Sequence, residues 1–108
     1  MELLQELDEK LKSLNSALAS FRRRGEEFAS ARRDYQTALA KEILIHRDNG
    51  IPVTIIGDLC RGKPDIADLR LKKDVTESLY KSSEHAINCY KLEIRVLEGQ
   101  IKQEWNNY

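Results

Sequence analysis

The string Gly57-Asp58-Leu59-Cys60-Arg61-Gly62-Lys63 has the G-x-x-x-x-G-K spacing of a phosphate-binding loop and follows an apolar run at 53–56. The next residue, Pro64, stands where a Ser or Thr hydroxyl would hold Mg²⁺. The rest of the chain also lacks the alternating strands and helices that build a parallel sheet around such a loop. The string therefore reads as a helix ending on Gly62 ahead of a helix begun by Pro64.

Two histidines and two cysteines are the other groups that could do chemistry. His46 and His85 fall on different predicted helices, and neither has a Cys, Asp or Glu at metal spacing with it. Cys89 and His85 are four apart on one face, which supplies two ligands and no site. Cys60 lies near a turn while His85 is several turns along a helix, so they make no nucleophile pair. No pair of carboxylates in an apolar setting suggests acid–base chemistry. The residues predict no enzyme, no metal and no cofactor.

Cations form two groups. Arg61, Lys63, Arg70, Lys72 and Lys73 could reach phosphates from a helix-turn-helix, but Asp58, Asp65, Asp68 and Asp74 are interleaved with them. Arg22, Arg23, Arg24, Arg32 and Arg33 are dispersed by the 100° helical step, with only Arg22 and Arg33 projecting together. The totals agree: 18 Lys+Arg balance 18 Asp+Glu among 108 residues, so no global field draws the chain to nucleic acid or an anionic membrane.

With 41% apolar and 33% charged residues the chain can bury one modest core, predicting a single helical domain over 1–108. Its longest apolar run, Ile43-Leu44-Ile45, is far short of the roughly 20 residues that span a bilayer. Glu2, Glu6, Asp8 and Glu9 replace the basic and apolar regions of a signal peptide, so the expected location is the cytoplasm. Two distant cysteines suit a reducing compartment.

The elements that must position all of this are dominated by one periodicity. Leu4, Leu7, Leu11, Leu14, Leu18, Phe21, Phe28, Tyr35 and Leu39 return at steps of three and four, with Gly25 and Arg32 in the slots between. A stripe kept up for about five heptads marks a helix lying along another helix. The predicted helix runs from about residue 3 to 47, where Asp48-Asn49-Gly50 and Pro52 stop it. Ile55, Ile56, Leu59 and Cys60 predict a short amphipathic helix in an elbow at 48–63, with Thr54 as its N-cap. Pro64 opens a last helix to about 105.

On that last helix Ile87, Tyr90, Ile94, Leu97, Ile101 and Trp105 form one row while Cys89, Leu92 and Val96 form a second, more than one partner helix can cover. The expected architecture is all-α: a long antiparallel, coiled-coil-like hairpin with a short elbow helix, two hairpins assembling into a four-helix bundle dimer. If Arg47 lies near Asp65, then Phe21 meets Tyr90 and Leu7 meets Trp105. Arg32, at a seam slot, is expected to be half-buried and to set register with a carboxylate. The elbow residues Arg47, Asp58, Arg61 and Lys63 are the expected partner contacts, since the long helices are committed to each other.

From about Ala38 onward the order A-L-A-K-E-I-L, D-N-G-I-P-V-T-I-I-G-D-L-C-R-G, D-L-R-L-K-K-D-V-T-E-S-L-Y and K-L-E-I-R-V-L-E-G-Q-I-K-Q-E-W resembles small helical proteins of phages and prophages of Gram-positive bacteria. The likeness covers roughly the last two thirds of the chain and carries no catalytic or binding residue. It implies a small accessory protein made in a bacterial cytoplasm. Such proteins act by binding, and the expected target is a host or phage protein. Alternatives are a nucleic-acid-binding accessory of replication or recombination, and an anti-defence protein that sequesters a small signalling molecule.

Overall fold

The computed structural model describes residues 2–107. It contains three helices: α1 (Glu2–Asp48), α2 (Val53–Arg61) and α3 (Pro64–Asn106). Among the described residues there is no strand, and the run at 53–56 is helical. None of the helices is long and apolar enough to cross a membrane.

Contacts group the chain into two compact units: 1–24 with 80–108, and 25–79. In the first, α1 and α3 run antiparallel, with the Lys10 ammonium 2.8 Å from the Glu93 carboxylate and the rings of Phe21 and Tyr80 stacked at 4.8 Å. Its buried side chains are Ile87, Ile94 and Leu97, all from α3. Tyr90 and Ile101, also from the predicted row, are half-buried, whereas Trp105 is 71% exposed. The second unit is built from three helices, and each contributes to its core: Ala31 and Tyr35 from α1, Ile56 and Cys60 from α2, Ile66 from α3.

The α1 seam is shifted by one position from its expected line. Leu7, Leu14, Phe21, Phe28, Tyr35 and Leu39 are buried or half-buried, whereas Leu4, Leu11 and Leu18 are more than 40% exposed. Leu3, Lys10, Ala17 and Ala31, one residue before Leu4, Leu11, Leu18 and Arg32, are buried or half-buried instead, while Gly25 and Leu39 stay half-buried beside Arg24 and Ala38. Arg32 is exposed, with its guanidinium 5.4 Å from the Phe28 ring centre, and Ala31 is the buried residue.

The pairing register also differs, because Phe21 meets Tyr80 and not Tyr90. In the second unit Glu42 lies beside Lys63 at 2.7 Å, so there α3 starts level with Glu42 and not with Arg47. Helix α2 folds back on the last turns of α1, with Cys60 against His46.

Candidate functional site

The elbow begins with a helix stop of defined geometry. Gly50 takes φ +78°, a left-handed conformation that costs glycine no Cβ clash, and its N–H donates to the Arg47 carbonyl at 3.0 Å. The Ile51 N–H donates to the His46 carbonyl at 3.1 Å, completing the paired bonds of a Schellman stop. Pro52, extended at φ −58° and ψ 136°, occupies the N-cap of α2 with no side-chain cap bond. Thr54, expected at that cap, lies inside the helix. The pyrrolidine ring fixes the entry angle, so no hydroxyl is used to start the helix.

Helix α2 closes on Gly62, whose N–H donates to the Asp58 carbonyl at 3.1 Å. Lys63 then starts α3, its carbonyl accepting from the Ala67 N–H at 2.9 Å, and Pro64 sits in the first turn. The string that matched a phosphate-binding loop is therefore mostly helix. The backbone N–H groups of such a segment are directed along its axis and do not converge on an anion.

The four expected contact residues are not equivalent. Lys63 is held by Glu42, and the same bond pulls the Glu42 carboxyl below its ordinary range and raises the Lys63 ammonium above its own. Arg61 lies back along α2 above Gly57, where an added Cβ would come within 3.0 Å of its Nη1, and its guanidinium is 3.6 Å from Asp58. Arg47 and Asp58 are exposed. Lys73, proposed above for phosphate, sits 5.3 Å from the centre of the Tyr35 ring and 3.1 Å from Asp74. Of the five cations considered for phosphate contact, Arg61, Lys63 and Lys73 are thus already engaged within the chain.

A Cys–His contact escaped the sequence reading. The Cys60 Sγ lies 3.7 Å from the Nδ1 of His46, which is 2.9 Å from the Glu42 carbonyl and 3.7 Å from its carboxylate. A carbonyl oxygen only accepts, so Nδ1 carries the proton and donates it to Glu42. Nδ1 cannot then take a proton from the thiol, and Cys60 is 0% exposed. The cluster satisfies polar groups under α2 and offers no nucleophile to a substrate. The missing signal was chain return: a tight stop followed by a nine-residue helix brings the last turns of α1 and α2 together.

What the elbow does present is apolar. Ile56 and Cys60 point inward, leaving Ile55 and Leu59, one helical turn apart, exposed on the flank of α2, with Val53 78% exposed at its start. Leu44 and Ile45 are exposed on the last turns of α1. Sequence showed α2 as amphipathic but could not show that only half of its apolar face would be covered.

In the first unit an open groove of about 390 Å³ is lined by Leu4, Leu7, Ile101 and Trp105, with Glu98 and Lys102 at its rim. An apolar groove with one cation suits a charged signalling nucleotide poorly. Among the described residues no three His, Cys, Asp or Glu side chains are grouped so as to hold a metal ion. Compared with known protein families, curated proteins and solved structures, the chain matches none.

Proposed function

We propose that the chain works by protein–protein interaction without catalysis, as a phage accessory protein that self-associates through its long helices and offers its elbow to a host or phage protein. The assembly is a dimer in which two helical hairpins form a four-helix bundle. The observation that carries this reading is exposed apolar surface on regular helices: Val53, Ile55 and Leu59 on α2, and Leu92 and Val96, 59% and 54% exposed, on α3. Side chains of this kind in one row are stabilised by a partner, whereas scattered ones need no explanation.

The elbow residues divide by role within this reading. Leu59 and Ile55 supply contact area, Arg61 and Arg47 sit at its polar rim, and Lys63 holds the elbow together through Glu42. Leu59→Glu with Arg61→Glu is the clean test because it spares the Glu42–Lys63 bond. Tagged wild-type chain is expected to retain a stoichiometric protein from nuclease-treated bacterial lysate, and the double variant to lose it with helical circular dichroism unchanged. Equal retention by both removes the elbow from the interface.

A further inference from the structure

We infer that Asn49 is a modification site: the backbone nitrogen of Gly50 attacks its side-chain amide, and the succinimide so formed opens with water to aspartate or isoaspartate. Asparagine is thermolabile, and its amide is lost most readily where the next residue has no side chain to hinder the attack. Asn49-Gly50 is the one Asn-Gly pair among the five asparagines of the chain, and each of the others is followed by a residue with a side chain. The reaction needs neither a partner nor a cofactor.

The fold selects the same residue. Asn15 and Asn88 are exposed too, but they lie inside α1 and α3, where the following backbone nitrogen is held in the helical ladder. Asn49 stands just past the end of α1, in one of the two breaks between helices. Both Asn49 and Gly50 are exposed, and a Cβ built on Gly50 meets nothing within 4 Å, so the closing ring and the incoming water have open space. One bond guards the nucleophile, from the Gly50 N–H to the Arg47 carbonyl at 3.0 Å. It belongs to the final turn of a helix, where local opening costs least.

The chemistry balances with one water. A bond forms between the Gly50 nitrogen and Asn49 Cγ, the Cγ–Nδ2 bond breaks, and the Gly50 amide proton leaves with Nδ2 as ammonia. Water then adds at Cγ to leave aspartate, or at the main-chain carbonyl carbon to leave isoaspartate, whose backbone runs through the former side chain and is one atom longer. Either product adds a carboxylate beside Asp48, at the negative end of the α1 dipole. Isoaspartate also displaces the donors of the Gly50–Arg47 and Ile51–His46 bonds that stop α1. The return of α2 over His46 follows directly from that stop, so the elbow loosens as the chain ages.

The test keeps the full chain in mildly alkaline buffer at physiological temperature and digests samples briefly with trypsin. Cuts after Arg47 and Arg61 place Asn49 in peptide 48–61, while Asn15 and Asn88 fall in peptides 13–22 and 82–91. Peptide 48–61 is expected to show the mass change of amide to acid at least about tenfold sooner than the other two, whose backbone nitrogens are freed only by opening a helix interior. Part of the product should accept a methyl group from an isoaspartyl methyltransferase. Gly50→Ala should slow the conversion by about tenfold, because its Cβ stands beside the attacking nitrogen, even though alanine at φ +78° strains the stop. The aged chain should melt below the fresh one, and Asn49→Gln should hold its midpoint over the same interval. No conversion in peptide 48–61, one rate for all three peptides, or an unchanged rate in Gly50→Ala overturns the site. A fully converted chain that melts with the fresh one overturns the loosened elbow.

Discussion

Helices α1 and α3 serve two units, yet the core drawn from them differs according to whether α2 is present. In the unit spanning 25–79, α2 closes the space beside the helix pair, every helix contributes a buried side chain, and Cys60 reaches 0% exposure. In the unit made of 1–24 and 80–108 there are only two helix segments, and α1 contributes no fully buried residue. The difference shows what a third helix supplies. Two helices can bury one stripe each and leave the far side of that stripe half wet, whereas a third surrounds it.

Substitutions can break or sharpen this contrast. The largest effect is expected from Ile56→Ala, which empties a side chain 5% exposed in the three-helix core and should cost about 2–4 kcal/mol in denaturant unfolding. Leu14→Ala in the two-helix unit removes a half-buried side chain and should cost about 1–2 kcal/mol at concentrations where the chain is monomeric. Equal losses at the two sites would erase the distinction between the units.

The smallest effects are electrostatic and depend on pH. Because Lys63 holds the Glu42 carboxyl below its ordinary value of 4.5, that group contributes stability that is present above 4.5 and lost as pH falls through its lowered value. Lys63, raised above 10.5, contributes stability that is present below 10.5 and lost as pH rises through its own raised value. Glu42→Gln should therefore flatten the acid limb of the thermal-midpoint profile, and an unchanged limb would remove this pair from the stability of the elbow. In the two-helix unit the Lys10–Glu93 pair is half-exposed and partly screened, so Lys10→Ala should change the midpoint least of all.

The sequence by itself determined three helices, because their signals are local. Heptad spacing on α1, the Asn49-Gly50 stop with Pro52, and Pro64 at the next start act within a few residues of where they stand. It placed Ile87, Tyr90, Ile94, Leu97, Ile101 and Trp105 in one row, of which Ile87, Ile94 and Leu97 are buried while Tyr90 and Ile101 are half-buried and Trp105 is 71% exposed. It could not choose between two adjacent lines on α1, as Leu11 and Leu18 look like better seam residues than Ala17 and Ala31. That choice depends on which line of α1 faces the packed helices, and the structure buries Ala31 while leaving Leu11 and Leu18 exposed. The candidate site divides in the same way. Arg47, Asp58, Arg61 and Lys63 were found from the turn, but whether each faces outward depends on contacts made across the fold: Lys63 on Glu42, and α2 returned onto His46. Residues 14 to 21 positions apart meet only once the chain has turned back, so tertiary structure alone decided which elbow groups are engaged within the chain and which stay exposed.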